Sequence, residues 1–451
     1  MAGTGSNSSS ATSFSLKACT ITAYDKDGRE IVRNIRNLVV QIDIIESLYS
    51  PSLSCDVLVR DGINLMEWIN LCGQEKLYLE FEKDGKSHTL NFVITEYPIY
   101  SKSENGNIQG YRMTGISEHA YISGSKTISR SFGSGKLGGI NQSLIKLLSL
   151  VGIPESDIII EGDNVSRSRG IIPWMSVLNA CEFLKNISYD REKSPFYLYQ
   201  TMDGTIHFSS HAWLMGGNNP KYGPIGTKGK PTDYFELFSL GEVFQGTEKE
   251  HLRSKSRIED IASNLAMSKY TQMRSGAYGS TLYEIDPSQK TFVKNIYQYR
   301  EDALIHMNDG GAPLISDKFK VGNISLPGLI DSKIRFINTN SQLFENNENS
   351  IGDDIKSSVL TGVSYTSLIE NIVQDFSLAG DFSLNPGKKI GLRFQRAIDE
   401  KTQKDICRKM GYEFSLFDKK ISGNYLVTGV VHKFNIADSI YRSHIRAKKD
   451  K

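Results

Sequence analysis

The stretch PGKKIGLRF, Pro386–Phe394, reads as a strand entered through a turn, and GQEKLYLEF, Gly73–Phe81, reads almost the same in the first quarter of the chain. In Asn385-Pro386-Gly387-Lys388 the proline presets φ at the first central position and the glycine accepts positive φ at the second, which is what a type II turn requires. That turn reverses the chain between Phe382/Leu384 and Ile390/Leu392/Phe394, so both flanking segments present one apolar face. The echo continues downstream. FVITEYPIY from Phe92 answers YLVTGVVHKF from Tyr425, with Thr95 opposite Thr428, and GYRMTGI answers IYRSHIR, with Tyr111-Arg112 opposite Tyr441-Arg442. Three matched strands in the same order predict a duplicated β-module. The second copy carries a long insertion after Phe394, which duplication with loop growth allows.

The text between these strands agrees. Val40, Ile42 and Ile44 alternate with Gln41 and Asp43, and Cys55, Val57 and Val59 do the same. Leu77, Leu79 and Phe81 lead to Asp84-Gly85, a strong hairpin signal, and Leu90, Phe92 and Ile94 lead back. Asp27-Gly28, Asn105-Gly106 and Asp203-Gly204 mark further turns, and Ile63–Leu71 reads as a short helix. At Gly138 the period changes. Ile140, Leu144, Leu147 and Val151 share a helical face, and a second helix is expected from Pro173 through Trp174, Val177, Cys181 and Leu184. A further helix is expected from near Asp353.

The expected fold class is mainly β with α+β insertions: two tube-like antiparallel β-barrels per chain plus a small helical, α+β domain. The expected divisions are a flexible tail over 1–13, a first barrel over 14–125 and a peripheral α+β domain over 134–240. A second barrel follows over 256–295 and 366–448, with an inserted peripheral segment over 296–365. At 451 residues several cores are needed.

Composition narrows the function. A formal charge of +2 argues against a protein built to grip nucleic acid. Five scattered cysteines, Cys19, Cys55, Cys72, Cys181 and Cys407, form no CxxC pair and read as free thiols assembled in a reducing cytoplasm. No apolar run reaches the ~18 residues of a membrane helix, so no membrane insertion is expected. GSGKLG, Gly133–Gly138, fits GxGxxG but lacks the feeding strand and the Ser or Thr of a phosphate loop, and reads as a linker. His207 and His211 lie in strand text, roughly 13 Å apart at four residues' separation, so neither zinc nor any other metal or cofactor is expected. The carboxylate-rich ENNENSIGDD lacks the alternation and central glycine of a calcium loop. No catalytic constellation stands out. Arg442, His444 and Arg446 fall on one face of the last strand, opposite Tyr441, Ser443 and Ile445. They are the candidate interface or lumen face, weighed against a plain solvent face.

IPWMSVLNACEFL (Ile172–Leu184), RSGAY (Arg274–Tyr278) and GDFSLNPGKKI (Gly380–Ile390) together resemble the baseplate central hub proteins of T-even-type contractile phage tails. The last of these, with YLVTGVVHKF, is also similar to the hub segment of type VI secretion spikes. The resemblance implies a non-enzymatic homotrimer in which three chains close a ring of six barrels. Such a ring adapts a hexameric tail tube, or its initiator proteins, to a trimeric central spike, with wedge proteins around it and no cofactor. The implied location is the virion tail baseplate, after assembly in the host cytoplasm. DNA would cross the lumen without specific binding, so a neutral or acidic lining is expected. The alternatives are the hub of a phage-derived injection or secretion device and a baseplate-associated lytic enzyme.

Overall fold

The computed structural model describes residues 11–24, 27–69, 71–102, 109–133, 139–166, 170–215, 233–237, 257–264, 268–302, 318–325, 330–338, 356–369, 372–394, 400–411, 417–418 and 420–449. Strands dominate. The amino-terminal module contains β1 (Ser15–Tyr24), β2 (Glu30–Asn34), β3 (Val39–Ser47), β4 (Ser54–Asp61), β5 (Lys76–Lys83), β6 (Lys86–Lys102) and β7 (Gln109–Ser117), followed by α1 (Glu118–Ser125). The β5–β6 hairpin turns at Asp84 and Gly85, both at positive φ (52° and 73°), the type I′ geometry that matches strand twist. Inward side chains of β1 and β3–β7 meet in one core around Ile42, Val57, Leu79, Phe92 and Met113. The sheet curls into a barrel-like shape, though no ladder joins β2 to β3 among the described residues.

The carboxy-terminal module contains β14 (Asp260–Asn264), β20 (Val373–Ala379), β21 (Lys389–Phe394), β22 (Gly423–Asn435) and β23 (Ile440–Lys449), around a second core of Leu378, Ile390, Leu392, Tyr425, Val430 and Ile445. A further strand, β13 (Asp233–Leu237), runs parallel to β21. The Pro386-Gly387 turn forms as expected: Gly387 has φ +84° and Lys388 N–H donates to Asn385 O at 3.3 Å. A Cβ on Gly387 would also lie 2.3 Å from the Tyr199 hydroxyl, so this turn docks closely on the peripheral domain.

The two modules form one sheet. Its ladder runs β14-β20-β23-β22-β3-β4-β7-β6-β5-β1-β2, and the joint is an antiparallel pairing of β22 with β3, from Gly429↔Ser47 to Asn435↔Gln41. Strand order supports the echo, since β3-β4-β7-β6-β5 matches β14-β20-β23-β22-β21. So does detail. Thr95 and Thr428 each occupy a bulge, and each hydroxyl donates to the facing strand's carbonyl, Thr114 O at 3.1 Å and Arg446 O at 3.2 Å. Ile94 N–H donates to Glu75 O at 2.8 Å as Val427 N–H donates to Lys388 O at 2.9 Å. Counted from the bulges, Tyr111-Arg112 and Tyr441-Arg442 are displaced by two ladder positions. An even displacement keeps each tyrosine buried and each arginine on the open face.

The peripheral α+β unit has its own core, from α2 (Gly139–Ser149), α3 (Val177–Asn186), the pair β8 (Thr127–Phe132) and β10 (Gly170–Ser176), and the sheet β11 (Phe196–Gln200), β12 (Ile206–Ser210) and β9 (Ile158–Glu161). Pro173 and Trp174 do not open a helix. They sit where β10 loses register with β8, an irregularity that tolerates proline, and the helix starts after Ser176. The helix over Ile63–Leu71 is a single turn, Leu65–Trp68. Strands β15 (Gly279–Asp286) and β16 (Thr291–Gln298), grouped by sequence with the second barrel, instead pair with each other in a separate sheet, in which β15 also pairs with β19 (Ile334–Asn338) from the inserted segment. Alternation marks a strand but not its sheet, and both strands resume after a helical interruption, α4 (Lys269–Ser275). A short hairpin, β17 (Lys320–Val321) and β18 (Ile324–Ser325), precedes β19. The helix α5 (Thr361–Ile369), entered through a π-turn at Lys356–Leu360, leads back to β20. The expected helix start near Asp353, the Asn105-Gly106 turn, ENNENSIGDD and most of GSGKLG lie outside the described residues. Residues 11–13, expected in the tail, are tied down: Tyr441 N–H donates to Thr12 O and Ser13 bridges Ile440.

Candidate functional site

The candidate surface is the open side of the joined sheet. Inward positions of β3, β22 and β23 fill the two cores, so the alternate positions form a single face that crosses from module to module. One row reads Asp260, Ser377, His444, Val431, Ile45, Ser54, Ile116 across seven strands. Arg442, His444 and Arg446 all lie on this face, and His444 and Arg446, with Ile45, Tyr49 and Val431 among others, line a groove of about 560 Å³ at the joint.

The face is basic in sequence but neutralised in structure. Arg446 makes a two-pronged bond to Asp375, Nε to Oδ1 at 2.7 Å and Nη2 to Oδ2 at 3.0 Å, which holds the guanidinium pKa above its ordinary value. Arg442 Nε lies 2.9 Å from Glu259 Oε2. His444 Nδ1 meets Ser377 Oγ at 2.8 Å, and partial burial, then the positive charge of Lys433, lower its pKa, so it adds no charge near neutrality. Across the described strands of the face, Arg60, Arg112, Lys433, Arg442, Arg446 and Lys448 are set against Asp43, Asp56, Glu96, Glu259, Asp260 and Asp375. The balance is close to zero.

Beneath the face, the joint is locked by a polar group that sequence reading did not single out. Glu46 and His432 are fully buried, with His432 Nε2 3.2 Å from Glu46 Oε1. Tyr441 Oη lies 2.7 Å from His432 Nδ1, and Met202 N–H, from the β11–β12 turn, donates to Glu46 Oε1 at 3.0 Å. Both modules and the peripheral unit therefore meet at one carboxylate. Burial raises the Glu46 pKa, opposed by its bond to His432. The available signal was parity, because Glu46 continues the inward series Ile42, Ile44, and His432 sits between inward Val430 and Phe434. Next to this group the rings of Phe81 and Phe434 stack at 4.2 Å and those of Phe434 and Tyr441 at 4.3 Å. Phe434 thus leaves its own module and packs in the other's core.

The histidines of the expected non-site are used structurally. His207 stacks on Tyr199, and His211, whose Nδ1 lies 3.1 Å from Tyr197 Oη, has its pKa pushed down to about 4 by burial. Among the described residues no cluster of three His, Cys, Asp or Glu is arranged to hold a metal. No helix among them is long and apolar enough to cross a membrane.

The whole arrangement, modules and peripheral units together, matches a solved structure over 97% of both chains with a TM-score of 0.50 and 12% identity. This chain shares its fold with a tail protein from Neisseria meningitidis MC58. Also similar are the 43 kDa tail protein of prophage MuSo2 from Shewanella oneidensis and an E. coli component of the type VI secretion system. The first has 10% identity, a TM-score of 0.48 and coverage of 96% of this chain and 97% of that one. The second has 11% identity, a TM-score of 0.42 and coverage of 96% and 76%. No family model matches the sequence, and no curated protein matches it.

Proposed function

We propose that this protein is a non-enzymatic structural component of a contractile tail, the central hub of its baseplate. Three copies close a ring of six sheet modules, nearly sixfold in shape and threefold in chemistry. The ring joins a hexameric tube to a trimeric spike, and baseplate proteins contact the peripheral units. The observation that carries this reading is the β3–β22 joint, because two equivalent modules side by side in one sheet are what a sixfold imitation needs. Each chain supplies eight strands, β3-β4-β7-β6 and β14-β20-β23-β22, so three copies supply 24. At about 4.8 Å per strand their circumference gives a bore roughly 37 Å across at the backbone, before strand tilt widens it.

The open face lines that bore in this reading. Arg442 and Arg446 are ion-paired in place and the remaining charges of the face balance, so a polyanion passing along it meets little net positive charge and releases few counterions. DNA transit without retention follows. Native mass spectrometry tests the assembly, with a closed trimer expected and a persistent monomer or dimer counting against it. Weak binding of duplex DNA, with a salt slope near zero, is expected for the trimer. Tight, salt-sensitive binding would remove the conduit role.

A further inference from the structure

Resting on the ring reading, we infer which strands join one copy to the next: the second half of β6 (Glu96–Lys102) pairs antiparallel with β14 (Asp260–Asn264) of a neighbouring copy. The joint within the chain is the template. There β22 is divided lengthwise, residues 423–426 pairing with β21 and residues 429–435 with β3. Its counterpart β6 is divided at the same threonine bulge. Residues 86–93 pair with β5, whereas beyond the bulge the described residues show a ladder only to β7. The counterpart of β3 is β14, which among the described residues has a ladder only to β20 and ends the sheet. The two edges that the internal joint uses therefore recur, unpaired by any described strand, at the two places where a neighbouring copy would meet them. Main-chain edges of this kind are templates for strand pairing.

The register transfers as well. Asp56 lies opposite Thr114 and Asp375 opposite Arg446, each facing the residue whose carbonyl receives the bulge threonine, so these aspartates are equivalent. Their partners on the next strand, Asp43 and Ala262, are then equivalent too. Counted along the facing strands β7 and β23, four ladder positions from the bulge stand Ser101, opposite Gly110, and Lys433, opposite Arg442; a second irregularity in β6, between Glu96 and Ile99, adds one residue on that strand. Within the chain Lys433 faces Asp43, so between copies Ser101 faces Ala262. Both residues are exposed on the open face. A second copy of this chain is the occupant that continues the sheet with the spacing and polarity it already has.

The test is the double variant Ser101→Cys/Ala262→Cys, with exposed Cys72 changed to serine and the four buried thiols retained. After mild oxidation, non-reducing electrophoresis should show covalent dimer and trimer and nothing larger, all returning to monomer on reduction. Ser101→Cys/Asp260→Cys, two positions out of register, should link at least tenfold less. Native mass spectrometry of the same samples separates the two claims. A trimer that gives no Ser101→Cys/Ala262→Cys link overturns this seam and leaves the ring standing. A protein that stays monomeric overturns the ring and the seam with it, and covalent chains longer than three overturn closure.

Discussion

Replacing Phe434 with alanine tests whether the two modules share a core. Phe434 belongs to β22 of the carboxy-terminal module, yet it is wholly buried among the amino-terminal core residues. It stacks on Phe81 and Tyr441 and meets Phe14 edge-on at 5.2 Å. Truncating a buried phenylalanine costs about 3–5 kcal/mol through lost transfer energy and the cavity left behind. Four ring partners, Phe382 at 6.0 Å being the fourth, place this site in the upper part of that range, since each well-placed aromatic pair adds about 0.5–1.5 kcal/mol beyond its buried area. Leu378→Ala, confined to the carboxy-terminal core, should cost about 2–5 kcal/mol. Urea unfolding followed by fluorescence and by far-ultraviolet circular dichroism provides the readout. A shared core predicts that Phe434→Ala lowers one common transition, with both signals moving together. A Phe81→Ala/Phe434→Ala cycle should return about 0.5–1.5 kcal/mol of coupling. A loss below about 1 kcal/mol, or two separated transitions of which only one moves, would refute the shared core.

Gly380→Ala would place a Cβ 2.2 Å from the Tyr441 ring, so thermal melting should show a loss of about 1–3 kcal/mol, and wild-type stability would show that the strand can shift aside. Gly387→Ala meets a left-handed φ as well as Tyr199, and the backbone term alone should cost about 1–2 kcal/mol; an unchanged melt would rule out the type II turn. Burial raises the Glu46 pKa, so the folded protein holds that proton more tightly than the unfolded chain. Its contribution is complete below the ordinary glutamate value of about 4.3 and is lost as pH rises through the folded value. Glu46→Gln should flatten that limb of the stability profile, and an unaltered slope would contradict the assignment. Arg446→Ala removes an exposed ion pair and should cost under about 1 kcal/mol in denaturant titrations, with larger losses pointing to a structural role.

Much of the fold was legible because short-range rules govern it. Alternation found β3 through β7, Asp84-Gly85 fixed a hairpin, and Asn385-Pro386-Gly387 fixed a turn. The matched threonines make the duplication legible in the sequence, since a bulge leaves its mark on local sequence. What stayed hidden depends on distance along the chain. Nothing in GVVHKFN names Val39–Ser47 as its neighbour, because every outward-alternating strand offers the same backbone to any other. For the same reason β15 and β16 were grouped with the wrong sheet. The charged face was located from parity, but its neutralisation was not. Asp375 and Glu259 become partners of Arg446 and Arg442 only once β20 and β23 lie in register.

The paired bulges have a consequence for how these strands tolerate deletion. Before Thr428 the core-facing residues carry odd numbers, Tyr425 and Val427, and after it even ones, Val430, His432 and Phe434. In β6 the parity also flips, from Leu90, Phe92 and Ile94 to Tyr97, and a second irregularity between Glu96 and Ile99 flips it back. Losing Thr428 would act like a frameshift written in three dimensions, turning Lys433 toward oil and Phe434 toward water. The extra residue is therefore a hinge in the reading frame of the sheet, and β22 cannot discard it and keep its inside in.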